Sequence, residues 1–334
     1  MKMDYNEFKA QIVEEMENRF PDAQVSVRQQ MKNNGVFVDA LTVREKDSII
    51  ASGVLLNKYY EKMQTGHPFE EVKEAIIAIC SNESRKETPY KADDIRNYEE
   101  MHGRIVFKVV SAEKNQELLK QIPHREVMDM AVIYYADVNR NADTCASFTV
   151  TNNMMENWGV KEPDLYQEAM KNAPVLMPAS FKSMRDTLTE LMPPAMNEDD
   201  FFDMIEHVPK DEAMYVLTNK DNNFGAAAMF YPGMLEKAAA AIQEDHIFIL
   251  PSSVHEVLLV PDKGNFTSEE LKEMVTEINA TQVAPDEVLT DNVYEYDARK
   301  KELTMPLEMP KAAVMEEDSY DGIRENIAKP DKCR

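Results

Sequence analysis

The chain has 334 residues, 43% of them apolar, which is enough for a substantial core and more than one typical domain of about 100–200 residues. Its 61 acidic against 37 basic residues give a net charge of −24, which argues against nucleic-acid binding through a basic face and against docking on anionic lipid. No apolar run approaches the ~20 residues of a membrane span, Met1–Glu7 lacks a signal peptide's apolar stretch, and three scattered cysteines (Cys80, Cys145, Cys333) without a CxxC pair fit a reducing compartment, so a cytoplasmic protein is expected.

Phe8, Ile12, Val13, Met16 and Phe20 recur at helical spacing and predict a helix over 5–20, closed by Pro21. Residues 23–28 and 36–43 alternate at period two around Asn33-Asn34-Gly35, whose positive-φ tolerance predicts a β-hairpin. Helices are expected over 53–63 and over 69–80, the second with Phe69, Val72, Ile76, Ile77 and Cys80 on one face. Residues 81–94 are polar and carry a Thr-Pro, the best internal linker. A strand at 105–110, a helix near 112–121 and strands at 130–136 and 144–150 follow, then helices starting near 152 and over 162–172 and 180–191.

The strand–turn–strand–helix order then recurs: a strand at 213–218, a second at 225–230, and a helix opened by Pro232-Gly233. Asn152–Asn157 and Pro232–Lys237 both place Met-(Met/Leu)-Glu in a first helical turn, which is either a duplicated ββα unit or a coincidence of common architecture. Strands at 246–250 and 256–260, a helix over 267–279 capped by Thr267 or Ser268, and a hairpin at 293–296 and 302–305 complete the pattern. The fold class expected is α+β: a mixed, mostly antiparallel sheet built from ββα units with helices packed on it, and a helical N-terminal part. The division expected is an N-terminal α+β region at 1–95, a main α+β domain at 96–305 and a disordered tail at 306–334, where periodicity fails.

Chemistry-bearing motifs are sparse. With 9 glycines there is neither GxGxxG nor a P-loop, so no nucleotide cofactor is expected. The six histidines show no metal-ligand spacing, and the acidic cluster Glu198-Asp199-Asp200 with Asp203 and Glu206 lacks an EF-hand pattern, so no metal is expected. The 23 methionines suit an adaptable core or a binding groove. One corner resembles a hydrolase's parts: Ser252, Ser253, His255 and Glu256 are the weak catalytic candidates. Against that, sequence neighbours rarely reach nucleophile geometry, no GxSxG elbow is present, and HExxH lacks its second histidine. Ser253 with Glu256 also reads as a capping box over one helical turn.

The strings Met214–Asn219, Tyr231-Pro232-Gly233 and Leu250–Pro261, with Trp158-Gly159-Val160, Leu165-Tyr166 and Val275–Thr281, resemble an uncharacterised domain-of-unknown-function family of clostridial and other gut Gram-positive bacteria, often carried on mobile elements. The resemblance spans about residues 5–305 and implies no catalytic residue. The leading expectation is an accessory factor of a mobile element acting on an unknown protein partner. The alternatives are a hydrolase-like enzyme using the 252–256 corner and an acidic decoy that mimics DNA.

Overall fold

The computed structural model describes residues 3–45, 52–83, 92–140, 145–190, 214–251 and 253–306. Of the linker expected at 81–94, residues 84–91 lie outside the described residues, while 81–83 end the helix Phe69–Glu83 and 92–94 open the helix Ala92–Arg96, so the expected linker is helical at both ends. The acidic cluster at 198–206, His207, Ser252, Cys333 and the tail beyond Pro306 also lie outside the described residues.

Helix α1 (Tyr5–Arg19) starts where it does because Asp4 caps it. The Asp4 carboxylate accepts from the N–H groups of Asn6 (2.8 Å) and Glu7 (2.9 Å), and Glu7 Oε2 accepts from Asp4 N at 3.1 Å. Its inner stripe, Phe8, Ile12 and Met16, is fully buried, each side chain contributing roughly 1.5–3 kcal/mol of transfer free energy. Strands β1 (Ala23–Met31) and β2 (Phe37–Glu45) pair antiparallel from Ala23↔Glu45 to Met31↔Phe37. Asn34 (φ 59) and Gly35 (φ 70) turn the chain between them, as the Asn-Gly signal predicts. Val25, Val27, Leu41 and Val43 face a core completed by α1, α2 (Leu56–Gln64) and α3 (Phe69–Glu83). The other face is polar, with Ser26 and Thr42 hydroxyls hydrogen-bonded at 2.8 Å.

Beyond the short helices α4 (Ala92–Arg96) and α5 (Tyr98–Met101), two antiparallel sheets share a second core. In the first, β4 (Ile105–Ser111) pairs with one edge of β6 (Met130–Arg140), while β5 (His124–Val127) and β7 (Cys145–Thr149) share the other. The second has the order β13 (Glu302–Thr304), β12 (Tyr294–Asp297), β10 (His246–Leu250), β11 (Val257–Pro261), β9 (Tyr215–Asn219), β8 (Ala179–Ser183). Every strand pairing among the described residues is antiparallel, in keeping with the α+β class the strand spacing predicts. Helix α8 (Glu162–Leu176), which follows α7 (Asn152–Trp158), packs on β4. Three further helices follow among the described residues: α9 (Met184–Glu190), α10 (Met234–Ile242) and α11 (Ser268–Thr281). The α11 N-terminus is closed by Thr267 and Glu270 in a capping box, one of the two caps expected.

The structure corrects several elements. Residues 53–55 belong to strand β3 (Ser52–Leu55), because the open edge of β2 takes them up through Leu41↔Val54 and Thr42↔Gly53; helix begins only at Leu56. The helix expected near 112–121 shrinks to α6 (Gln116–Leu119), and β5 was not foreseen. Residues 179–183 form β8 on the edge of β9, and α9 follows from Met184, with Ser183 Oγ accepting from Asp186 N at 3.0 Å. The strand expected at 225–230 is a 3-10 helix. Residues 225–229, Gly-Ala-Ala-Ala-Met, are buried on every side between the two sheets, where small residues permit close approach and strand alternation has no solvent face to serve. Of the two units compared in the sequence, β6–β7–α7 is therefore a ββα unit, while the other is strand, 3-10 turn and helix.

Candidate functional site

A cleft of about 470 Å³ opens where the N-terminal hairpin meets both sheets of the main body. The hairpin tip is fixed there by its asparagines. Asn34 Nδ2 donates to the carbonyls of Pro285 (2.8 Å) and Val288 (2.7 Å), and Asn34 N donates to Asn115 Oδ1 at 2.8 Å. Asn115 Nδ2 returns a bond to Asn34 Oδ1 at 2.9 Å, and Asn33 Nδ2 reaches the Asp286 carbonyl at 3.0 Å. This docking brings Lys32 into the cleft wall; Lys58 arrives from α2 and Lys108 from β4.

The opposite wall is the loop 219–225. Asn219, fully buried, organises it: its Oδ1 accepts from Asp221 N (3.1 Å) and Asn223 N (3.2 Å), and its Nδ2 donates to the Asn223 carbonyl at 2.7 Å. Asn222 (φ 50) and Phe224 (φ 54) are both left-handed, and for a bulky phenylalanine that is a strained conformation. The loop closes at Gly225, where a Cβ would overlap Thr218 Oγ1 and come within 2.5 Å of the His255 carbonyl oxygen. Phe224 is thereby held as a plate. Its ring stacks on His255 at 5.6 Å, its N–H donates to His255 Nδ1 at 3.2 Å, and Lys108 Nζ sits 4.0 Å from its centroid.

Lys108 is the feature the sequence reading missed. It is the one residue of β4 not fully buried, in a strand otherwise of apolar residues and Ser111. It makes no ion pair among the described residues. Burial pushes its ammonium down to about 8, and repulsion from Lys32 adds to the effect. The signal was present: a lone lysine inside Ile-Val-Phe-Lys-Val-Val has to be explained by something beside it.

Of the corner singled out in the sequence, Ser252 lies outside the described residues. Ser253 is buried and bridges to Val288, and its Oγ accepts from His255 N at 3.0 Å. The backbone there forms no helical turn, so the capping box expected with Glu256 N is replaced by a tighter turn bonded two residues on. Burial raises the Glu256 carboxyl, a shift that His255 and a hydrogen bond from the Ser253 side chain oppose. His255 does line the cleft, but its ring turns from Ser253: Nδ1 is occupied by Phe224 N–H, which leaves Nε2 carrying the proton in the neutral ring and facing Glu287 Oε1 at 3.7 Å. Ser253 and the His255 ring are thus not joined as nucleophile and base.

Among the described residues, no three His, Cys, Asp or Glu side chains are grouped to hold a metal ion, and no helix is long and apolar enough to cross a membrane. No match was found among curated proteins or among solved structures. A family profile does match residues 5–298, which take in the hairpin tip, Lys108, the Phe224 loop and His255, and on that match the chain belongs to the family of unknown function DUF5688.

Proposed function

We propose that the chain is a cytoplasmic binding protein whose cleft holds a small anionic molecule against Lys108. One observation supports this best: in a chain of net charge −24, Lys32, Lys58 and Lys108 converge on a single cavity, and none is ion-paired among the described residues. Cations that converge without an ion pair repel one another, and an anion relieves that repulsion. Asp286 and Glu287 line the same cavity, so the ligand meets both signs, as a carboxylate or phosphate carrying hydrogen-bond donors would.

A second reading is contact with a protein partner, in the role of an accessory factor of a mobile element in clostridial or related Gram-positive hosts. It is favoured by Met274 and Ile278, which lie one turn apart on α11 and are 39% and 40% exposed. Calorimetric titration with phosphate and with pyruvate separates the two. A dissociation constant below ~1 mM that weakens at least tenfold in Lys108→Met supports the first reading. Absence of heat with both anions removes it. The partner reading falls if Met274→Lys with Ile278→Lys leaves every complex of the protein unchanged.

A further inference from the structure

We infer that Lys108 is a carbonyl-capturing amine: its Nζ forms an imine with a small α-keto acid or carboxylate-bearing aldehyde in the cleft, with Lys32 and Lys58 taking the carboxylate. The inference rests on the anion-binding reading of the same cleft and names its ligand class.

Three features of the site converge on this chemistry. Lys108 is carried by a strand whose register with β6 is fixed at Lys108↔Ile133, so its stem starts from a rigid position. Its Nζ lies against the faces of Phe224 (4.0 Å) and Tyr135 (5.9 Å), aromatic surface where a hydrated ammonium would have water, and no carboxylate among the described residues pairs with it to hold the proton on. A desolvated lysine beside a second cation is the arrangement that activates an amine for attack on carbonyls. With its ammonium lowered to about 8, about one Lys108 in ten is neutral at pH 7, against roughly one in a few thousand for an ordinary lysine. Two other clusters of buried or partly buried polar groups are already engaged. Asp129 is taken by Thr290, Asn292 and Tyr294, and Glu162 by Arg125 and Tyr134.

The step balances without a co-reactant. The Nζ lone pair attacks the carbonyl carbon and the C=O π pair moves to oxygen. One amine proton passes to that oxygen, giving the carbinolamine. The hydroxyl then leaves as water with the second amine proton, and the nitrogen pair closes the C=N bond. His255 Nε2 and Glu287, 3.7 Å apart and lining the same cavity, are the groups able to carry those protons.

The test uses the full chain with pyruvate as probe, sodium borohydride to reduce any imine, and peptide mapping by mass spectrometry. The expected result is a reduced pyruvate adduct on Lys108, at least about tenfold above any other lysine at pH 7–8, suppressed by prior phosphate. Lactate, equal in charge but without the carbonyl, should compete without giving an adduct. Lys108→Arg should still bind pyruvate by calorimetry and give none. Labelling spread evenly over the lysines, or absent from Lys108 while phosphate and pyruvate bind, overturns the imine and leaves the anion-binding reading in place. Absence of binding by both anions ends both readings.

Discussion

Two turns face each other across the cleft, and both leave the right-handed backbone. At the hairpin tip the left-handed residues are Asn34 and Gly35; in the opposite loop they are Asn222 and Phe224. Asparagine and glycine adopt that conformation at little cost, and the tip uses Asn34's side chain to clamp onto Asn115, Pro285 and Val288. Phenylalanine adopts it only because Asn219 and Gly225 hold the loop on either side, and its ring is then presented to Lys108 and His255. The same torsion thus serves anchoring on one wall and display of an aromatic surface on the other.

The largest effect is expected where the second turn is held. Gly225→Ala puts a Cβ within 2.5 Å of the His255 carbonyl and 2.6 Å of Asn219 N, backbone atoms that cannot swing aside. Chemical denaturation should show a loss of more than about 3 kcal/mol; a loss under ~1 kcal/mol would mean that the loop is slack and Phe224 is not forced into place. Breaking the first turn should cost less. Asn34→Ala removes two donated bonds and one accepted bond and puts alanine in the left-handed region, for a loss of ~2–4 kcal/mol, while Asn34→Gly should recover about 1 kcal/mol of that. Equal losses in the two variants would show that conformation plays no part.

The smallest effect has the opposite sign. The folded Lys108 loses its proton near 8, below the ~10.4 of the unfolded chain, so the unfolded state binds more protons between those values and stability rises with pH across that window. Below pH 8 the fold carries a desolvated ammonium flanked by Lys32, Lys58, His255, Asp286 and Glu287. Lys108→Met should stabilise the protein by ~1–3 kcal/mol at pH 7, with the gain gone above pH 10.5. Melts across pH 6–11 showing no gain at neutral pH would place the ammonium in better contact with water than its surroundings imply.

Much of the fold could be read from spacing, because amphipathic periods and Asn-Gly or capping signals act locally. Phe8, Ile12 and Met16 announce α1, and Thr267 with Glu270 announces α11. The misread elements are those decided by distant partners. Ser52–Leu55 becomes a strand because β2 has a free edge, and Gly225–Phe230 coils because two sheets close on it. The site follows the same division. The 252–256 segment attracted notice through its residue types, and His255 does reach the cleft. Lys108 and Phe224, 116 positions apart in the chain, meet only once strand and loop are packed, and no local pattern joins them.

The clamp at the hairpin tip also fixes an order of events during synthesis. Asn34 bonds to residues 251 and 254 positions further along, and Asn33 to one 253 further along. At about 5–20 residues per second the ribosome needs roughly 10–50 s to deliver those partners after the hairpin has emerged. Helix α1, the hairpin and α3 contain a hydrophobic cluster of their own and can settle in that interval, with Asn33 and Asn34 waiting in water. The cleft therefore does not exist on a nascent chain. It is assembled when residues 285–288 arrive, so a ligand bound there would act as a report that translation has passed that point.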